Sequence, residues 1–401
     1  MSQKINESKS EEQRKALNLW AKAGFTGSII AGTGFGKSRC GVLAIAHALS
    51  DNDAGHGIWT YGETALILVP TVQLQEQFKE EFKKWGHESL LDQVDIMCYQ
   101  SAHKLKGKKY DIVVCDEIHL GLSPVYRKFF ENNHYHRLLC MTATLPEEEE
   151  YRELLTSLAP TVYQITLDEC VSKKLVAPYD IHCIPITLTP LEMLAYKRAN
   201  QQFVHCKYLL GGHNAFNEAN RILKGGQGDK KAAAMFFGAI RRRKSIVQHA
   251  DNKLDTSKLI AEHHKDQKIL CFAGTIEMTD AMAGELDGDT YHSKMTTKQK
   301  KESLDKFSNT DNAILCSAKA LNQGFDVPDV GIGIIAGLES KALPMIQRLG
   351  RLIRFKKGKR GRVYILYVKD SQEEKWMEQA TKSLNNINRD VDLTNYFSNE
   401  C

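Results

Sequence analysis

The sequence predicts an α/β protein of two lobes, each a mainly parallel sheet with helices on both faces. Three observations carry this. Residues 28–31 are a short apolar run that enters a glycine-rich turn ending in Gly36-Lys37-Ser38, with a helix-compatible run behind it. Other strand candidates are apolar throughout rather than alternating, and helical stretches separate them, which is the pattern of buried parallel strands. The strand–helix alternation lapses after about residue 170 and returns at residue 268.

Residues 10–23 read as an amphipathic helix with Ala16, Leu17, Leu19 and Trp20 on its apolar face. After the turn and its helix, residues 65–70 are a strand and residues 73–85 a helix. Residues 94–99 and 110–115 are strands, and the second runs into Asp116-Glu117-Ile118-His119. Residues 137–141 form a strand ending in Thr142-Ala143-Thr144, and residues 162–166 a last strand of this lobe. Residues 185–253 change character, rich in Ala, Gln, Lys and Arg, and read as several helices with a basic run at 241–244. Strands then follow at 269–273, 290–292, 313–316, 330–336 and 363–368, the last expected to close the second sheet. Helices are expected at 276–286, 297–307, 344–354 and 373–384. The expected division is a first lobe over 1–170, a hinge over 171–184, and a second lobe over 185–401 with a helical segment at about 190–258.

At 401 residues the chain has room for two or three domains with sizeable cores. Its ten cysteines are scattered, with no C-x-x-C pair, which suits reduced thiols in a cytoplasmic, intracellular compartment. The first residues are polar and mixed in charge, so no signal peptide is expected, and no apolar run reaches membrane-spanning length. A net charge of +5 permits a polyanionic partner without demonstrating one.

The turn carries the first chemistry. Glycines let successive N–H groups face phosphate oxygens, and the following helix N-terminus favours an anion. Gly32, Thr33, Gly34 and Gly36 would form the cradle, Lys37 would reach the terminal phosphates, and the Ser38 hydroxyl would bind Mg²⁺. Ala31 stands where the general pattern has its first glycine. Asp116 and Glu117 are adjacent carboxylates at a strand end, where open parallel sheets hold ligands. Mg²⁺ prefers one or two carboxylates plus water, so Asp116 fits as its ligand, while Glu117 would orient and deprotonate an attacking water. Arg348, Arg351 and Arg354 fall at i, i+3 and i+6 along one side of an expected helix. Forked and permanently charged, they would stabilise charge on a transferring phosphoryl group; a solvated basic face is the alternative. His263-His264 and His134-x-His136 lack cysteines at ligand spacing, so no metal is expected there.

Taken in order, these blocks resemble superfamily 2 nucleic-acid helicases and translocases of the DExH type. The 31–38 loop looks like motif I of that family, Val69-Pro70-Thr71 with Gln75 like motif Ia, and Asp116-Glu117-Ile118-His119 like motif II. Thr142-Ala143-Thr144 looks like motif III, and residues 321–328 like motif V. Gln347-Arg348-Leu349-Gly350-Arg351-Leu352-Ile353-Arg354 is similar to motif VI with one residue fewer. The resemblance implies two RecA-like lobes with ATP and Mg²⁺ held between them. It implies that Gln13 reads the adenine, although the aromatic that often precedes this glutamine is absent. Thr142, Thr144, His119 and Gln347 would couple hydrolysis to lobe movement. Gly324 and Asp326 would meet the nucleotide from the second lobe, and Arg351 and Arg354 the γ-phosphate. Nucleic acid would lie along Thr71, Gln75, Ser101 and His103 and the 317–323 loop with Asn322, joined by Arg348.

Within the family, the sequence looks more like DNA-directed members, including phage and repair-type branch-migration or fork-remodelling helicases. The expected activity is that of an ATP-dependent DNA motor, expected to be monomeric and without a membrane partner. An RNA helicase, a nucleotide-regulated nucleic-acid clamp that does not unwind processively, and a two-lobed ATPase acting on protein are the alternatives.

Overall fold

Mostly apolar strands build two parallel sheets. The structure, a computed structural model, describes residues 2–32, 34–50, 64–143, 145–146, 148–175, 179–318, 330–338, 361–382, 384 and 387–398. By contact, the described residues up to 175 form one compact unit and those from Tyr179 a second.

The first unit runs α1 (Ser2–Lys22), β1 (Thr26–Ala31), α2 (Lys37–Ser50), β2 (Ala65–Val69), α3 (Val72–Lys84), β3 (Val94–Cys98) and α4 (Tyr99–Ala102). It continues with β4 (Lys109–Asp116), α5 (Ile118–Gly121), α6 (Lys128–Asn132), β5 (His134–Thr142), α7 (Glu149–Leu158), β6 (Thr161–Ile165) and α8 (Leu167–Ser172). Its sheet has the order β3-β2-β4-β5-β1-β6, and every described pairing is parallel. All five residues of β2 are buried, as its unbroken apolar run requires. Helix α1 begins earlier than expected, and it turns Gln13, Ala16 and Trp20 inward at helical spacing. Trp20 is anchored by donating its indole N–H to the Leu138 carbonyl of β5, 2.9 Å away. Helix α3 seats Leu74, Phe78 and Phe82, one face at i, i+4 and i+8. At Gly41 of α2 helix and sheet come close: a Cβ there would lie 3.1 Å from Val114 and 3.2 Å from Met141.

The second unit starts with β7 (Tyr179–Ile186) and a helical segment, α9 (Pro190–Leu209), α10 (Ala215–Leu223), α11 (Lys230–Gln248) and α12 (Asp251–His263). Then come β8 (Ile269–Phe272), α13 (Ile276–Glu285), β9 (Asp289–Tyr291), α14 (Thr297–Asn309), β10 (Ile314–Ser317), β11 (Ile332–Ile335) and β12 (Gly361–Val368). Helix α15 (Gln372–Thr381), β13 (Ile387–Asn388) and α16 (Leu393–Ser398) finish it. The sheet order is β13-β7-β12-β11-β8-β10-β9, again parallel throughout.

Two details differ from the sequence reading. Residues 179–184, read as the end of a hinge, and 185–186, read as the start of the helices, are strand β7. Asp180, His182 and Pro185 hide it, because they interrupt the apolar run. Among the described residues β13 pairs with β7 only at Ile181 and His182, so at Pro185 the strand has a neighbour on the β12 side alone. Proline is tolerated at such an edge. For the same reason β12 does not close the sheet but lies inside it, between β11 and β7.

The helical segment carries a small core of its own: Cys206, Leu210, Ala215, Ala219, Ile222, Ala232, Ala233 and Phe236, flanked by Phe203. The Thr189–Glu192 capping box, followed by Pro190 at the first turn, starts α9. The basic run on α11 is not simply solvated. Arg243 lies over the Phe203 ring at 4.3 Å and Arg242 bonds Gln202, both on α9. His263 stacks on Phe397 at 3.8 Å, and His264 bonds the Tyr364 hydroxyl at 2.8 Å, so both are packing residues of this unit.

Candidate active site

Sheet order assembles the site in the first unit. At the carboxyl edge β5 lies between β4 and β1, with Asp116 opposite Met141 and Ile30 opposite Thr142. The turn after β1, the carboxylates after β4 and Thr142 of β5 are therefore neighbours by register.

The turn has the backbone that its glycines promise. Gly34 and Gly36 both sit at φ +91°, a region L side chains avoid. Gly36 is doubly constrained, since a Cβ there would lie 2.3 Å from Gln13 Nε2. Gln13 is 1% exposed and donates through Nε2 to the Phe35 carbonyl at 2.7 Å. Phe35 is itself buried and packs against Tyr163. Lys37 opens α2 and donates to the carbonyl of Ala31 at 2.9 Å, folded back over the end of β1.

Across from it, Asp116 is buried and Glu117 partly so. Glu117 adopts φ +50°, ψ +55°, a left-handed conformation that costs a side-chain-bearing residue about 1–2 kcal/mol. This turn aims its carboxylate back at β5. Glu117 Oε2 accepts from the Thr142 hydroxyl at 3.1 Å, and His119 Nδ1 lies 3.4 Å from the same oxygen and 3.2 Å from Thr142 Oγ1. Tyr99, fully buried, holds the turn from below by donating its hydroxyl hydrogen to the Asp116 carbonyl at 2.9 Å.

The two carboxyls are driven apart electrostatically. Burial and the adjacent Glu117 charge push Asp116 up to about 7, in spite of Lys37 and His119. Burial also opposes ionisation of Glu117, but hydrogen bonding from His119, the Lys37 ammonium and the Thr142 hydroxyl outweigh it and hold Glu117 down to about 2. Glu117 is the member of the pair kept ionised. A cation at Asp116 would relieve the strain on the other, and Ser38 and Asp116 are hard oxygen donors of the type Mg²⁺ takes.

Thr71 follows β2 and Ser101 follows β3, and those strands are neighbours with Val69 opposite Cys98. Thr71, Gln75, Ser101 and His103 thus gather at one end of the sheet edge. The Thr71 hydroxyl is buried without a hydrogen-bond partner, Gln75 is half-buried and Ser101 exposed. Thr33, Thr144, Asn322, Gly324, Asp326, Gln347, Arg348, Arg351 and Arg354 lie outside the described residues.

Sequence reasoning missed Tyr99, Arg39 and Trp85. Arg39, on the first turn of α2, donates to Gln13 Oε1 at 2.7 Å and to Ser10 Oγ at 2.6 Å, and its guanidinium lies 4.0 Å from the centre of the Trp85 ring. None of these contacts follows a local spacing, so no pattern in the sequence announces them.

Comparison with known proteins agrees with this geometry. The family described as type III restriction enzyme, res subunit, matches residues 6–147, and that described as helicase conserved C-terminal domain matches residues 252–356. The protein belongs to the superfamily 2 helicases. This helicase is 24% identical over 360 residues to the DNA 3'-5' translocase XPB2 of Sulfurisphaera tokodaii, covering 86% of this chain and 78% of that one. Its fold resembles the Pyrococcus furiosus Hef helicase domain, with a TM-score of 0.57 at 15% identity, over 91% of this chain and 97% of that one. It also resembles S. cerevisiae Dbp5 bound to RNA and ADP BeF3, with a TM-score of 0.60 at 14% identity, over 96% and 91% of the two chains. The helicase is accordingly an ATP-hydrolysing enzyme, built on two RecA-like lobes. No described helix is long and apolar enough to cross a membrane.

Proposed function

We propose that this helicase is an ATP-dependent DNA translocase or helicase of the DExH type. Its lobes are assigned to the two units, the first running to about residue 175 and the second beginning at β7. The carrying observation is the Glu117 carboxylate, held by Thr142 and His119 at the sheet edge where the phosphate turn also ends. The turn and Lys37 bind the phosphates, with Lys37 exchanging the Ala31 carbonyl for a phosphate oxygen. Ser38 and Asp116 would hold Mg²⁺, which would offset the negative charge of the phosphates. Glu117 orients a water and draws on its proton. Thr142 and His119 report the state of that carboxylate to β5 and α5. Gln13 faces the base, and Arg351 and Arg354 are assigned to the γ-phosphate.

DNA is favoured over RNA by the similarity to a protein named as a DNA translocase. The phosphate backbone is the expected point of contact, at Thr71, Gln75, Ser101, Asn322 and Arg348, which makes binding weakly sequence-dependent and strongly salt-dependent. Steady-state ATP hydrolysis at fixed low salt, alone and with single-stranded DNA, forked DNA or single-stranded RNA, tests the reading. DNA stimulation that disappears in Lys37→Ala and Glu117→Gln supports it. Stimulation by RNA alone moves the protein to RNA. DNA-stimulated turnover without strand displacement would leave a translocase or clamp. Full turnover in Glu117→Gln would sink the catalytic assignment, since a positioned general base contributes about 10²–10⁴-fold.

A further inference from the structure

We propose, resting on the nucleotide-binding reading above, that Arg39 sets the preference of this enzyme for a 6-aminopurine by fixing which face of the Gln13 carboxamide meets the base. A glutamine amide can be turned end for end, and its partners decide which way round it sits. On one side Gln13 meets the carbonyl of Phe35 at 2.7 Å and that of Gly36 at 3.4 Å, and carbonyls only accept. The group there must be the NH₂. On the other side it meets Arg39 Nη1 at 2.7 Å, and a guanidinium only donates. The group there must be the oxygen. That oxygen has two lone pairs, and Arg39 takes one.

The remaining lone pair is an acceptor of fixed direction. It matches the 6-amino group of adenine and opposes the 6-oxo group of guanine, which would present oxygen to oxygen. Leaving such a pair unmatched in a buried place is costly, which is how hydrogen-bonding sites reject near-isosteres.

Arg39 is itself held to this task. Its guanidinium lies over the Trp85 ring, 4.0 Å from its centre, and Ser10 Oγ accepts from the same Nη1 at 2.6 Å. Trp85 is pinned by its indole N–H to Glu81 Oε2 at 2.7 Å, and the Glu81 charge also favours the guanidinium nearby. Burial works against the Arg39 charge, and Arg39 Nε is buried with no partner. The guanidinium is thus kept in a costly position whose return is the orientation of Gln13. Arg39 acts through Gln13 and is a positioning residue.

The test compares kcat/KM for ATP and GTP in the wild type, Arg39→Met and Arg39→Lys, with titration of fluorescent ATP and GTP analogues as a separate binding readout. The wild type is expected to prefer ATP. Arg39→Met should lower the ATP-to-GTP ratio of kcat/KM by about tenfold or more, the scale of a charge-assisted hydrogen bond, chiefly by raising KM for ATP. Arg39→Lys, which keeps a charge and a donor but not the guanidinium over Trp85, should fall between. If Arg39→Met does not fold, the Lys variant alone decides, by a reduced or an unchanged ratio. Equal losses for both nucleotides would show that Arg39 only braces the loop and would overturn the proposal, as would an unchanged ratio or a wild type indifferent to the base. A wild type that binds neither analogue removes the nucleotide reading and the role of Arg39 together.

Discussion

Thr142 donates its hydroxyl hydrogen to Glu117 Oε2 across 3.1 Å, joining the end of β5 to the turn after β4. The donor is fully buried, so the bond is shielded from water and holds the carboxylate in one direction. Thr142→Val keeps the branched shape and removes only the hydroxyl. Hydrogen bonds to charged groups are worth about 1.5–3 kcal/mol, so turnover should fall about ten- to a hundredfold. KM for ATP should move little, because the bond removed is one that orients the catalytic carboxylate. Steady-state hydrolysis measured in wild type and variant checks both numbers.

Glu117 is strained where it stands. Its left-handed backbone suits glycine better than any residue with a Cβ. Glu117→Gly and Glu117→Ala both remove the contacts to Thr142 and His119, so the difference between them isolates the backbone. The glycine variant should be the more stable by about 1 kcal/mol, the reverse of the usual order for these two residues. Neither should hydrolyse ATP at a useful rate. Chemical denaturation of the two variants side by side settles the sign.

The helical segment should loosen locally. Phe236 lies in its separate core, stacked on Phe203 at 5.4 Å, and is 3% exposed. Phe236→Ala removes a large side chain at a cost of about 3–5 kcal/mol. That loss should appear as faster amide exchange across α9, α10 and α11. Strands β8, β11 and β12 belong to a different cluster and should keep their protection. Hydrogen exchange followed by mass spectrometry would show whether the loss is confined in this way.

What the sequence disclosed, and what it withheld, follows from distance along the chain. The phosphate turn was legible because its signal is local: two glycines at positive φ, a lysine and a serine within five residues. The Asp116–Glu117 pair was legible as a strand end meeting polar residues. The family resemblance named Thr142 and His119 as coupling residues, but the bond from Thr142 to Glu117 was not legible, since 25 residues separate the two. Tyr99 beneath Asp116, and Arg39 between Gln13 and Trp85, left no trace, because an aromatic in a short helix and an arginine after a phosphate loop look ordinary. Strand β7 was lost for the opposite reason, its polar residues and proline masking a strand whose neighbour β12 comes late in the chain.

Lys253 and Glu373 were equally invisible, 120 residues apart, yet both are wholly buried. Lys253 on α12 donates to both Glu373 oxygens, at 2.9 and 2.8 Å, and to the Ala336 carbonyl at 2.7 Å, while Glu373 also accepts from the Val368 N–H at 3.0 Å. Burial lowers the lysine and raises the glutamate; their mutual attraction opposes both shifts, and the Val368 and Leu338 backbone N–H groups also oppose the second. Removing one partner leaves a buried charge alone. Lys253→Met should therefore destabilise the second unit by about 3–5 kcal/mol. The double variant Lys253→Met with Glu373→Leu should recover much of that loss, because two apolar groups of similar size need no counter-charge, although the Ala336 and Val368 backbone groups still lose a partner. A double-mutant cycle on denaturant midpoints measures the coupling. A double variant that is as unstable as the sum of the singles would mean that the two charges serve the backbone groups around them rather than each other.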